Sequence, residues 1–475
     1  MPELMIHLEN DSRKPLYEQI YDYIRMSIAD GKISRGEKLP STRFLAGHLQ
    51  ISRSTVELAY EQLLSEGYIV SQPYKGYYVS DISELYLGEE KKEQTKREEQ
   101  RLSDQKKIEE EYQIVFSPDR NDFEYFPYST WRKISKEILS VDDPYLLYAG
   151  EAAGERALRE AVCSYLYHAR GVKCRVEQIV VGAGNEYLLI LLAQVLGTKK
   201  RVAVENPTYL KAYRTLENMQ YEMIPLERDA SGIKIEEVQK MEPDIVYTMP
   251  SHQFPMGTVM PLKRRLELLH WAAEKEGRYI IEDDHDSEFR YKGKPIPSLQ
   301  GSDTNGNVIY IGTFSKSISP SIRVSYMVLP ESLLDAYNAT CGFYASTVPK
   351  EQQMILASFL NGGYFERYLN KMRGIYRGKH DYFLSLLKKE AWVHKIYGDH
   401  AGMHLLVELN GNMTAQEVVA AAKEKGLRIY DLEEYMIPGQ KKQIGGYPTL
   451  LLGYGALNEA EMEKGIEIIR SILFE

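Results

Sequence analysis

The chain has 475 residues, 43% of them hydrophobic and 27% charged, with a formal net charge of −9. That length exceeds one ordinary core, so two or more domains are expected, in a composition typical of soluble globular proteins. No apolar run approaches the length of a bilayer span, the first residues lack a secretory signal's layout, and the acidic balance excludes a generally basic nucleic-acid coat; any DNA-binding surface must be local.

Residues 1–80 alternate amphipathic helical patterns with short turns. In "LPSTRFLAGHLQISRSTVELAYEQLLSEGYI", Ser41 is placed to cap a helix with Phe44, Leu45 and Leu49 on one face. A tight turn at Gln50–Ile51 follows, and Ser52 then caps a second helix with Val56, Ala59, Leu63 and Leu64 inward. Arg53, Ser54 and Thr55 are thereby left at the exposed start of the second helix, where a recognition helix meets DNA. "GYIVSQPYKGYYVS" reads as a hairpin with Lys75 and Gly76 at its tip, a wing. A plain helical bundle carrying a hairpin is the alternative. Residues 81–112 are almost wholly charged and polar and read as a linker, since such a segment cannot bury enough surface to fold alone.

Residues 113–475 form the third zone. Short β-rich runs ("QIVVGA", "RVAVENP", "IVYTMP", "RYIIEDD", "NVIYIGTFS", "VSYMVLP") alternate with helix-length amphipathic segments. The predicted fold is α/β, with a mostly parallel sheet covered by helices. A smaller α+β subdomain is predicted over about 370–475, opening with a long helical pattern. Cys163, Cys174 and Cys341 are odd in number and lack metal-ligand spacing, so they read as free thiols of a reducing cytoplasm.

Pyridoxal phosphate chemistry needs a lysine amine, an acid against the pyridine nitrogen, an anion cradle and an aromatic face. The sequence offers each at the ends of predicted strands, where open α/β sheets bind ligands. Lys316 follows the strand "VIYIG", with Thr313, Ser315 and Arg323 able to contact a phosphate. Asp283 follows "RYIIE" and is the candidate pyridine partner. "VVGAGNEYLL" supplies a strand, a Gly-rich turn at Gly184–Asn185 and a helix start; Tyr209 in "ENPTYLKAY" can stack on the ring. "EDDHDSEF" alone also reads as a metal site, against which its clustered acids read as one functional carboxylate with solvated neighbours.

The first eighty residues, through "LPSTRxLAxxLxISRSTVxxAYxxLxxEGY" and the wing, resemble the GntR family of winged-helix repressors. The order of "RGVKCRVEQIVVGAG", "ENPTY", "TMPSHQFPMGTVMPLKRRLELLHWA", "YIIEDDHDSEFRY" and "VIYIGTFSKSISPSIRVSYMVLP" resembles the MocR group of that family, in which a winged helix is joined to a fold-type I aminotransferase-like domain. That resemblance implies DNA contacts from Arg43, Ser52, Arg53, Thr55, Lys75 and Gly76. It further implies a pyridoxal 5'-phosphate internal aldimine at Lys316, a pyridine partner at Asp283, a stacking Tyr209, and phosphate contacts from Gly184, Asn185, Thr313 and Arg323. A head-to-tail homodimer is implied as well, with Tyr148 reaching the phosphate of the neighbouring subunit.

Two departures from the group stand out. His285 occupies the position of a tyrosine whose phenol donates to the cofactor's ring oxygen; an imidazole N–H donates similarly, and histidine ordinarily titrates near neutral pH. Between Gln443 and Leu457, "QIGGYPTLLLGYGAL" holds no arginine to clamp a substrate carboxylate, and Lys211 stands near Tyr209 where the GABA-responsive member uses arginine. The expected function is a cytoplasmic, operator-binding transcriptional regulator that senses a small amine, an amino-acid-type effector or pyridoxal phosphate itself through Lys316, with GABA a poor fit. The alternatives are a working aminotransferase with an appended DNA-binding domain, and a regulator whose large domain carries no cofactor.

Overall fold

The structure is a computed structural model that describes Ile6, Leu8 and residues 14–34, 36–80, 112–140, 144–291, 296–439 and 446–474. The predicted linker falls almost wholly outside these residues. The chain divides into two compact units, residues 1–110 and 111–475.

In the first unit, α1 (Leu16–Ala29), α2 (Thr42–Leu49) and α3 (Arg53–Ser65) precede a hairpin of β1 (Ile69–Gln72) and β2 (Gly76–Val79). Ser41 Oγ accepts from Phe44 N at 3.2 Å and Ser52 Oγ from Thr55 N at 3.2 Å, so both helices start at side-chain caps. Gln50, in the left-handed region at φ +57°, makes the turn between them. Ile20, Ile24, Leu45, Val56, Ala59, Leu63, Ile69 and Val79 form the core. Phe44 does not face inward as expected; it is 59% exposed. The inward register of α2 runs through Thr42, Leu45, Ala46 and Leu49, at spacings of three and four, which turns Phe44 to solvent. Tyr60, which the pattern did not single out, is fully buried and donates to Pro40 O at 2.9 Å, tying α3 to the entry of α2.

The second unit opens with a short strand, β3 (Ile114–Val115), and is built on a seven-stranded sheet. Its strands are β4 (Ile179–Gly182), β5 (Arg201–Glu205), β6 (Glu222–Leu226), β7 (Ile245–Thr248), β8 (Tyr279–Asp284), β9 (Val308–Thr313) and β10 (Ser325–Val328), in the spatial order β4-β10-β9-β8-β7-β5-β6. Only β10 runs antiparallel to its neighbours. All six residues of β9 and all four of β4 and β7 are buried, the signature of a sheet covered on both faces. After β4 the chain enters α4 (Asn185–Leu196), whose Leu188, Leu189, Leu191 and Leu192 pack into the core.

A long helix, α5 (Tyr364–Leu387), leads into an antiparallel sheet of four strands, Val393–Tyr397, His404–Leu409, Thr449–Gly453 and Tyr430–Asp431 in spatial order. This subdomain also recruits the start of the unit: Ile114–Val115 pairs in parallel with Leu427–Arg428, and Gly453 N donates to Phe116 O at 2.9 Å. The segment from residue 112 thus begins in the small subdomain's packing, which the pattern placed only from about 370. Among the described residues no helix is long and apolar enough to cross a membrane.

Candidate cofactor pocket and nucleic-acid interface

Parallel strands deliver their last residues to one edge of the sheet, and the pocket lies there. It is lined by nine of the ten residues expected at a cofactor: Gly184, Asn185, Tyr209, Asp283, His285, Thr313, Ser315, Lys316 and Arg323. Tyr148, the tenth, is 68% exposed and does not line it. The strand β8 runs through Asp283 and Asp284 rather than stopping before them.

Lys316 sits in a four-residue helix, Phe314–Ser317, directly after β9. Its Nζ donates to Pro118 O at 2.6 Å and to Asp119 Oδ1 at 3.1 Å, while Asn121 Nδ2 donates to the Lys316 carbonyl at 2.6 Å. The Lys316 ammonium holds the Asp119 carboxyl below the usual carboxylate range, with burial opposing it. Neither Asp119 nor Asn121 was singled out in the sequence. They reach Lys316 from some 195 residues away in the chain, where no local motif marks them.

Asp283 is buried and accepts from Tyr247 Oη at 2.5 Å and from Asn185 Nδ2 at 3.2 Å. Burial pushes its carboxyl up, against a lowering influence from His285. The neighbouring acids are not solvated, contrary to expectation: Glu282, Asp284, Asp286 and Glu288 are all buried, each with its own partner. Glu282 accepts from Leu299 N and Gln300 N, both at 2.8 Å, and Asp284 accepts from Arg170 Nε at 2.7 Å and Tyr310 Oη at 2.6 Å. Asp286 meets His252 Nδ1 at 2.8 Å, and Glu288 accepts from Tyr165 Oη at 3.0 Å. β8, covered on both faces, cannot send Glu282 or Asp284 to water, and the turn after it buries Asp286 and Glu288 as well, so the fold supplies each acid with donors. Burial raises Asp286, but His252 and His285 outweigh it and hold the carboxyl well below the usual range.

At the other end of the pocket, Gly184 precedes α4 at φ +111°, and α4 starts without a side-chain cap. That φ favours glycine, and with no Cβ at Gly184 the Arg323 guanidinium can rest against the backbone there. Arg323, itself left-handed at φ +51°, donates from Nη2 to Ala183 O at 3.2 Å and lies 3.4 Å from Glu186 Oε2. Thr313 Oγ1 accepts from Ser315 N at 3.1 Å and from Ser325 Oγ at 2.9 Å. Tyr209 Oη donates to Glu186 Oε1 at 3.2 Å.

Two buried polar atoms of the pocket lining, Asn185 Oδ1 and Ser315 Oγ, have no hydrogen-bond partner, whereas His285 Nε2 lies 3.4 Å from Asp286 Oδ1. Such atoms are costly unless something polar meets them. A convergent uncapped helix start, guanidinium and hydroxyls at one end, and a buried acid and imidazoles at the other, fit a flat, phosphate-bearing heteroaromatic molecule.

In the first unit, Arg43, Arg53 and Lys75 are exposed, Thr55 and Gly76 half-buried, and Ser52 sits at the exposed start of α3. Ser52 and Thr55 spend their hydroxyls on one another at 2.7 Å, and Arg53 Nε pairs with Glu57 at 2.7 Å. Lys75 lies in the turn of the hairpin beside Tyr74, and Gly76 opens β2.

The aminotransferase class I and II family matches residues 119–469, and the gntR family of bacterial regulatory proteins matches residues 16–79. The chain is 38% identical to the uncharacterized HTH-type transcriptional regulator YdeL of Bacillus subtilis, covering 96% of each chain. It is 30% identical to the probable rhizopine catabolism regulatory protein MocR of Rhizobium meliloti, covering 98% of this chain and 95% of that one. Among solved structures, the kynurenine aminotransferase of Pyrococcus horikoshii superposes with a TM-score of 0.68 at 25% identity, covering 79% of this chain and 94% of that chain.

Proposed function

Because this chain belongs to the MocR-like group of gntR-family transcriptional regulators, a winged helix joined to a domain of the pyridoxal-phosphate-dependent aminotransferase class I and II family, we propose that its large domain holds pyridoxal 5'-phosphate at Lys316 and uses it to sense an effector. The observation that carries this reading is the buried Asp283 on β8 and the Lys316 amine, just after the adjacent β9, in one pocket with the unpartnered Asn185 Oδ1 and Ser315 Oγ. When bound, the cofactor supplies an aldehyde that condenses with primary amines and a ring that withdraws electrons from them.

The chain's own residues do the rest. Lys316 is the covalent anchor, and Asp283 keeps a pyridine nitrogen protonated beside it. Tyr209 covers the ring face, and His285 donates to the ring oxygen. The backbone at Gly184 and Asn185, with Thr313, Ser315 and Arg323, receives the phosphate. Among the described residues Arg323 is the one arginine lining the pocket, and phosphate binding occupies it. No arginine remains in this chain's pocket to orient a substrate carboxylate, which favours sensing over general transamination. The effector is a small amine, an amino-acid-type molecule or the cofactor itself, and it acts by binding two arrangements of the protein with different affinity.

The winged helix sets the start of α3 in the major groove of operator DNA, with Arg43, Ser52, Arg53, Thr55, Lys75 and Gly76 contacting it. The protein works as a head-to-tail homodimer. Supporting this, Tyr128, Leu139, Tyr145, Leu147 and Tyr148, all within residues 128–148 of the second unit, are exposed large side chains of the kind another chain covers.

Two variants test the reading. Lys316→Ala mixed with pyridoxal phosphate is expected to lack the visible absorbance of the lysine-bound cofactor. Arg53→Ala is expected to keep that absorbance while losing operator affinity; an unchanged gel shift would remove α3 as the recognition helix. Steady keto-acid release from an amino acid would instead favour a working aminotransferase with an appended DNA-binding domain.

A further inference from the structure

The cofactor reading gives roles to most of the charged groups in the pocket, but it has no need of an acid at residue 186. Glu186 is the second residue of α4, half-buried at the helix start, and it lines the pocket. Its Oε2 lies 3.4 Å from Arg323 Nη2 and its Oε1 accepts the Tyr209 hydroxyl at 3.2 Å. A backbone hydrogen bond at the helix start and the Arg323 charge hold its carboxyl below the usual range although burial raises it. One carboxylate therefore engages the guanidinium and the helix start that the cofactor's phosphate requires.

A phosphomonoester dianion and a carboxylate at the same guanidinium and helix start repel each other, so one must leave. The Glu186 side chain is 33% exposed and has solvent to swing into, but it then loses the Arg323 and Tyr209 contacts.

We propose that Glu186 is an internal competitor for the phosphate cradle, an affinity-determining residue that keeps loading of a phosphate-bearing aldehyde reversible. The proposal rests on the cofactor reading above. It deepens that reading by making the occupancy of the pocket follow the free concentration of the phosphorylated aldehyde. A purely structural Glu186, there to fix Tyr209 and Arg323 for the ligand, predicts the opposite sign, because its removal would loosen the cradle.

The experiment titrates the cofactor-free full-length protein with pyridoxal phosphate and, separately, with unphosphorylated pyridoxal. It follows the visible absorbance that Lys316→Ala abolishes, in the wild type, Glu186→Gln and Glu186→Ala. Both variants are expected to bind pyridoxal phosphate up to about fivefold more tightly, the scale of one part-exposed ion pair displaced, with pyridoxal affinity unchanged. Unchanged or weaker binding of pyridoxal phosphate, or an equal shift for both aldehydes, would overturn the proposal. Absence of Lys316-dependent absorbance in the wild type with either aldehyde would overturn the cofactor reading itself, and this inference with it.

Discussion

Asp283 meets opposite demands with and without its partner. In the structure it is a buried acid held by two neutral donors, Tyr247 and Asn185, with no cation bonded to it, and burial pushes its carboxyl up. A buried carboxylate without a full countercharge costs stability, whereas a protonated pyridine nitrogen would supply that charge. Asp283→Asn is therefore expected to leave the cofactor-free protein as stable as the wild type or up to ~1 kcal/mol more stable in thermal melts. The same variant is expected to bind pyridoxal phosphate at least about tenfold more weakly, the loss of one charge-assisted hydrogen bond. A variant that lost both stability and affinity would mean that Asp283 serves the fold rather than a ligand.

At the scale of elements, the strand β8 and the residues after it carry acids into a region the sheet and helices keep dry. Burial, followed by the Asp284 charge, lifts both Glu282 and Glu288 from an ordinary 4.5 to about 7. Their pKa values are higher in the folded chain than in the unfolded one, so between those limits the folded state holds protons the unfolded state releases. These two groups contribute most stability below about pH 4.5, lose it as pH rises to about 7, and change little beyond. Glu288→Gln, neutral at every pH and still able to accept from Tyr165, is expected to gain stability over the wild type at about pH 8 and to match it at about pH 4. Denaturation of the two proteins at both pH values checks this, and a constant difference across pH would assign the effect to packing. These elements also show what sequence can reveal. The alternation of apolar runs and helices exposed the sheet, and residues near strand ends exposed eight pocket positions, because both follow from local pattern; His285 was singled out only through the family resemblance. The burial of Glu282, Asp284, Asp286 and Glu288 did not follow, since it depends on Arg170, Tyr310, His252, Tyr165 and two backbone N–H groups contributed by distant segments. Asp119 was hidden for the same reason. Glu186 was in plain view inside "VVGAGNEYLL", but its contact with Arg323 appears only once Gly184 lets the two approach.

For the whole molecule, the open matter is how many chains complete a pocket. Tyr148 does not line its own chain's pocket and stands exposed among Tyr145 and Leu147. In the proposed head-to-tail dimer it reaches across to the partner's phosphate. Lys316 and Tyr148 then belong to different chains at each site, and defects in the two must complement. A Lys316→Ala homodimer has no anchored site, and a Tyr148→Ala homodimer has two sites short of a phosphate contact. In a heterodimer of the two variants, one pocket combines the defects and the other combines Lys316 from one chain with Tyr148 from its partner, intact. Co-expression with two affinity tags isolates this species. Its titration with pyridoxal phosphate is expected to show one site of wild-type affinity per dimer, against weak binding in the Tyr148→Ala homodimer and none of the visible signal in the Lys316→Ala homodimer. If each chain supplied its own Tyr148, the heterodimer would hold only the weak site, and the pocket would be complete within a single chain.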